Sequence, residues 1–332
     1  MLQDIVSRRW AAAALLTGGT FFLSAIPLAA QVQIFPTDAQ WKVDPGFSAD
    51  HEANRNISGA VCNAIGGQGC IAVNDSSNFV QAFLMNQSTH RIGAGTVIPL
   101  QPDQLGGLTF STVDAEAVAF DGRHFYVIGS QGRTTTPSDE ADFLAFRFQI
   151  DLDQRLPAVP PPVERSVRLR EAIFSAMAGN LFGPAILQGQ KMQIEGAVVK
   201  GGRMFVGFRA PKLADSTFLM TVGVEAMFGT GDLSVDLRKI PLGANLGIRD
   251  MALSATGLLI LSGPVADVAA APSLFQFDLP NGPLKLLGTV TEPTDRKAET
   301  LIVLQEEPEF VRFMLMFDGA HNGGPIEYFV SR

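Results

Sequence analysis

The sequence predicts an all-β fold, a single β-propeller of five blades. Three observations carry this reading. A unit of short strands recurs five times with weak identity but a constant shape. Its spacing suits a four-stranded blade, which takes roughly 40–50 residues with its turns. The chain of 332 residues is 46% hydrophobic, with 33 Gly and 20 Pro, so it can bury a core and also turn often.

Each unit opens with a short apolar strand that carries a polar residue at its second position. The openings are Ile57-Ser58-Gly59-Ala60, Ala115-Glu116-Ala117-Val118, Ile194-Glu195-Gly196-Ala197, Ile248-Arg249-Asp250-Met251 and Ala298-Glu299-Thr300-Leu301, separated by 58, 79, 54 and 50 residues. Second strands follow at Cys70–Asp75, His124–Ser130, Met204–Arg209, Leu258–Ser262 and Val311–Phe317. Third strands fall at Phe79–Leu84, Phe143–Ile150, Thr217–Val222, Leu274–Leu279 and Ile326–Val330. Fourth strands are weaker, Ser234–Ile240 and Lys285–Val290 being the clearest.

The longest gap has a local cause. Pro157, Pro160, Pro161 and Pro162 end a strand, and apolar residues then recur at helical spacing from Val163 to Met177. This predicts one helical insertion, about 163–188, between the second and third blades. Six blades are the alternative if the gap conceals one, and an open β-sandwich is the competing architecture. The last unit has only three strands. The β-like stretch near 32–45 is therefore expected to pair with Ile326–Val330 and close the ring, which removes sheet edges.

Residues 1–30 read as a signal peptide and 31–332 as the propeller domain. Arg8 and Arg9 form a basic start, Ala11–Ala30 is apolar and uncharged, and Leu28-Ala29-Ala30 places small residues before Gln31. The alternative is an uncleaved anchor, which Gly18, Gly19 and Pro27 weaken. Ser7-Arg8-Arg9 leaves the choice of general or twin-arginine export open. A periplasmic or secreted location follows, with no membrane contact after cleavage. The net charge of −8 and the lack of a basic stripe exclude nucleic acid as a partner class. In an oxidising compartment Cys62 and Cys70, the two cysteines, read as a disulfide across the first hairpin, since no histidine stands near enough for a zinc site.

Ile57-Ser58-Gly59-Ala60, Asn74-Asp75, Asp114-Ala115-Glu116-Ala117, Tyr126 to Ser130, Ile194-Glu195-Gly196, Val206-Gly207-Phe208-Arg209-Ala210-Pro211, Gly247-Ile248-Arg249-Asp250 and Ala298-Glu299 together resemble a bacterial family, domain of unknown function 3616. The resemblance covers roughly residues 55–305. Two positions depart from the family pattern: Ala117 stands where Gly is frequent, and Gln131 where His is frequent. The resemblance implies a propeller-like fold and no established reaction. A looser similarity links the openings to phytase-like and esterase-like propellers.

First strands line the channel of a propeller. The repeat therefore gathers Ser58, Glu116, Glu195, Arg249 and Glu299 around one axis, with Arg209 and Ser130 near the same mouth and Asp75, Asp114 and Asp250 beside them. Buried charges of this kind must pair or hold an ion. Three readings stand open: a structural ion-pair network; a calcium or magnesium site on Glu116, Glu195 and Glu299; or a substrate site in which Arg209 and Arg249 grip a phosphate or carboxylate and a Glu acts as base. No catalytic residue is assigned. The four histidines show no metal spacing, and Ile128 stands where a nucleophile elbow needs glycine. Two functions remain: a periplasmic binding or scaffold module taking a small anionic ligand or a protein, and a phytase-like, metal-assisted hydrolase of a phosphorylated or ester substrate.

Overall fold

The computed structural model describes residues 32–332 except 103, 106–107, 110, 133–140, 153–155, 179–191, 267–270, 292 and 294. The expected signal segment, residues 1–30, and the end of the expected helical insertion, 179–188, lie outside the described residues.

Five radial sheets form a five-bladed propeller. From the axis outward, blade 1 is Ile57–Cys62, Gly69–Asn74, Phe79–Asn86 and Arg91–Pro99. Blade 2 is Ala115–Phe120, Phe125–Gly129, Ala145–Phe148 and Glu164–Ser166. Blade 3 is Gln193–Lys200, Arg203–Ala210, Thr217–Gly223 and Val235–Ile240. Blade 4 is Leu246–Leu253, Gly257–Pro264, Ser273–Asp278 and Leu284–Val290. Blade 5 has three strands, Lys297–Glu307, Phe310–Asp318 and Ile326–Ser331. Each inner strand touches the inner strands before and after it, so the ring is closed.

The core lies between blades. One apolar cluster fills each of the five interfaces: Ile71, Val80 and Phe146 between blades 1 and 2, for example, and Leu261, Leu301 and Phe313 between blades 4 and 5. Both faces of every blade are thus buried, which explains why the second strands read as continuous apolar runs. Cys62 and Cys70 face each other across the first hairpin of blade 1 and are bonded.

Two expectations need correction. The insertion is helical from Arg168, not Val163: helix α1 is Arg168–Ala178, and Glu164–Ser166 is the outer strand of blade 2. Cross-strand contact overrides the helical spacing there, because Arg147 holds Glu164 at 2.7 Å and the main chain pairs with Ala145–Arg147. Ser166 Oγ then accepts from the Arg168 N–H at the start of α1. Leu169, Ala172 and Ile173 bury the apolar stripe of α1 against blades 2 and 3.

The chain start does not supply a regular fourth strand to blade 5. Gln33–Ile34 pairs in parallel with the outer strand of blade 4, and Lys42–Val43 with that of blade 1. Between them its main chain meets blade 5 through a bridge from Pro36 to Tyr328 and the Thr37 N–H donated to the Glu327 carbonyl. Proline has no N–H to extend a ladder. The segment is a strap across three blades. Trp41 Nε1 ties it to the Glu327 carboxylate at 2.9 Å, and the Phe47 N–H to Asn322 Oδ1 at 2.9 Å.

Candidate functional site

All five inner strands break register at the repeat position. In each blade two inner-strand residues oppose one on the second strand, and the extra residue is Ser58, Glu116, Glu195, Arg249 or Glu299. These are β-bulges, which re-aim a side chain out of the alternating pattern. Here they free one polar group per blade from the apolar interfaces. The second strands end at the same mouth and bring Asp75, Ser130, Arg209 and Asp318.

Four of the charges form one buried network. Glu195 accepts from Arg209 Nη1 at 2.7 Å and from Arg249 Nη1 at 3.1 Å. Arg249 Nη1 also meets Glu299 at 2.9 Å, while its Nη2 donates to the Pro264 carbonyl at 3.0 Å. Arg209 Nε donates to the Val265 carbonyl at 3.1 Å. Arg249 is 2% exposed and Glu195 4%. The network binds blades 3, 4 and 5. At the boundary of blades 1 and 2, the Ser58 hydroxyl donates to the Ala115 carbonyl.

Two glycines let the strands of blades 3 and 4 approach closely beside these arginines. A Cβ on Gly247 would lie 2.3 Å from the Arg209 carbonyl oxygen, and one on Gly207 would lie 2.6 Å from Ile248 Cγ2. The Gly-Phe-Arg-Ala-Pro and Gly-Ile-Arg-Asp segments therefore interlock across the boundary of blades 3 and 4.

Asp250, next to the bulge, is buried and accepts from the main-chain N–H groups of Met251 and Leu301, at 2.7 and 2.6 Å. Burial holds its carboxyl well above the usual range, against the opposing pull of those two hydrogen bonds.

The remaining carboxylates gather on the side of blades 1 and 2. One oxygen each from Asp75, Asp114 and Glu116 lies within 4.8 Å of the other two. Asp114 sits in the left-handed region at φ 50° and is held by Ser130, whose N–H donates to its carbonyl. The Glu116 carboxylate makes no hydrogen bond or ion pair among the described residues. Desolvation, and then the charges of Glu195, Asp114, Glu299 and Asp75, raise its carboxyl well above the ordinary value. Desolvation, with Asp114 and Asp318 behind it, pushes Asp75 up to about 6. Desolvation and Glu195 push Glu299 up to about 8, despite Arg249. Desolvation raises Asp114 as well. Lys297, paired with Asp318 at 3.0 Å, lowers Asp75, but as the weakest of the influences on it.

The structure thus divides the three glutamates expected as metal ligands. Glu195 and Glu299 face arginines, and Glu116 stands with two aspartates. Asp75 and Asp114 were legible only as neighbours of repeat positions; their shared signal is that each ends or precedes a strand at the mouth.

Residues 188–285 match the model of a family described as "Protein of unknown function (DUF3616)". No curated protein matches the chain. Among solved structures, a protein from Lactobacillus plantarum is similar at 13% identity and a TM-score of 0.36, covering 79% of this chain and 64% of its own. This chain therefore spans just under two thirds of that protein. A putative 6-phosphogluconolactonase from Bacteroides uniformis is similar at 13% identity and a TM-score of 0.31, covering 80% of this chain and 68% of its own. The WD40 repeats of RRP9 are similar at 11% identity and a TM-score of 0.36, covering 83% of this chain and 94% of their own.

Proposed function

We propose that this is an exported binding propeller, located in the periplasm or secreted, that holds calcium or magnesium on Asp75, Asp114 and Glu116 at its channel mouth. The carrying observation is Glu116, a bulge carboxylate without a partner, within 4.8 Å of two further carboxylates. Close like charges in a desolvated mouth keep a proton or take up a cation, and hard divalent ions favour oxygen ligands of this kind. Three protein ligands leave a calcium or magnesium ion with positions for water or for a small anionic ligand. The Glu195–Arg209–Arg249–Glu299 network serves as the structural hub beneath. Its arginine forks are committed to carboxylates and carbonyls, so they are poor candidates for gripping a phosphate.

Titration calorimetry of the purified protein with calcium and magnesium chloride tests this reading. Saturable binding that is lost in Asp114→Asn and in Glu116→Gln supports it, and no binding of either ion overturns it. A second reading, the metal-assisted hydrolase, is favoured by Glu116, a carboxyl raised by desolvation and neighbouring charges and standing beside Asp75 and Asp114, as a general base at a metal site would. Calcium-dependent turnover of p-nitrophenyl phosphate or acetate, abolished in Glu116→Gln, selects it over simple binding. Export is checked separately: mass spectrometry of secreted protein should find a chain that starts near Gln31.

A further inference from the structure

The other end of the axis carries a second feature. Beyond the bulges the inner strands run on to their hairpins and enclose a cavity of about 470 Å³, lined from all five blades. Its lining is mainly apolar: Val61, Phe120, Val198, Leu253 and Ile302 each come from a different blade. The lining begins at Ala197, Met251 and Leu301, two residues past the charged positions, and extends to Lys200 and Ser254. At roughly 3.3 Å per residue, the hairpin rim stands about 13 Å or more from the charged network along the strand. None of the bulge residues Ser58, Glu116, Glu195, Arg249 and Glu299 lines the cavity, which lies further along the inner strands toward their hairpins.

The volume falls in the range of small-molecule sites, which are mostly apolar with a few polar groups to orient the ligand. The charged groups around the rim select the ligand. Asp121 is saturated: its carboxylate accepts from the Arg123 and His124 N–H groups at 2.8 and 2.7 Å and from the Tyr126 hydroxyl at 2.7 Å. Ser254 donates to Glu306, and Glu306 is paired with Arg332. Lys200 is exposed beside the Gly201-Gly202 turn and makes no ion pair among the described residues. The cavity thus presents an apolar body and one uncommitted ammonium at its rim.

We propose that this cavity binds a small amphipathic carboxylate, with the apolar part between the inner strands and the carboxylate on Lys200 Nζ. The site is separate from the acidic mouth, so it stands or falls independently of cation binding there.

Octanoate, 1-octanol and octylamine, titrated into the purified protein by calorimetry, provide the test. Octanoate should bind saturably and octylamine should be the weakest of the three. Lys200→Gln should weaken octanoate by about five-fold, as an exposed ion pair allows, and leave octanol unchanged. Val61→Trp or Leu253→Trp, whichever melts like the parent, should abolish both by filling the cavity. Saturable octanoate binding that Lys200→Gln does not weaken overturns the head-group assignment. Absence of saturable binding by both octanoate and octanol overturns the cavity assignment.

Discussion

Asp250 reaches across a blade boundary to Leu301: its Oδ2 accepts the main-chain N–H at 2.6 Å, while Oδ1 accepts that of Met251. A single buried carboxyl therefore satisfies donors on the inner strands of both blade 4 and blade 5. Asp250→Ala leaves two buried N–H groups without partners, at about 1–3 kcal/mol each. Asp250→Asn retains one acceptor oxygen and should lose about half as much. Denaturant melts of the two variants check the ranking Ala below Asn below parent.

Arg249 is the central member of the hub. Arg249→Ala should cost about 3–5 kcal/mol, because Glu195 and Glu299 are left buried with less compensation. Glu195 keeps Arg209, so Glu299 is the carboxylate most exposed to this loss. Adding Glu299→Gln to Arg249→Ala should recover part of the stability, since the stranded charge is then gone. A thermal melt of the single and double variants measures the recovery. A single variant that melts like the parent would show that the fork carries no structural weight.

The acidic mouth makes stability depend on pH. Asp75, Glu116 and Glu299 have folded values above their ordinary ones, about 6 for Asp75 and about 8 for Glu299. The folded chain therefore holds more protons than the unfolded chain from the ordinary carboxylate range up to those values. Stability contributed by these groups is highest at the acidic end of the window and falls as pH rises through it. Asp114, Asp318, Lys297, Arg209 and Arg249 share this environment and set the depth of the effect. The melting temperature without divalent cation should drop between pH 5 and pH 8.5. Glu116→Gln should flatten that drop, and millimolar calcium should oppose it by binding the deprotonated form.

The Cys62–Cys70 bond closes a short loop at the hairpin of blade 1, where it also borders the axial cavity. Closing a loop of this size contributes about 2–3 kcal/mol in the chain-entropy account. Reduction, or the double change Cys62→Ser with Cys70→Ser, should lower the denaturant midpoint accordingly without changing the fold. Thiol titration of unfolded, unreduced protein should find no free thiol.

The repeat was legible because strand pairing and burial impose local patterns. Second strands covered on both faces must be apolar, and a charge at one recurring inner position stands out against them. That was enough to place Glu116, Glu195, Arg249 and Glu299 at one mouth. It could not reveal that each is a bulge, since a bulge is a mismatch between two strands and has no signature in either alone. Nor could it assign partners. Arg249 has carboxylates from blades 3 and 5 within reach only because the closed ring brings both inner strands beside its own. The outer strand of blade 2 was hidden because Glu164–Ser166 is too short to show alternation, and only Ala145–Arg147 beside it makes it a strand.

The sequence by itself pointed to five blades over six, to the disulfide and to the residues that carry charge to the axis, because each is read from spacing along the chain. Tertiary structure decided which carboxylates are neutralised and which are not. Glu195 and Glu299 meet arginines, whereas Glu116 meets Asp75 and Asp114. The same residue type at the same repeat position thus becomes an arginine-paired tie in blades 3 and 5 and a carboxylate beside two aspartates in blade 2, because its electrostatics are set by the neighbouring blades.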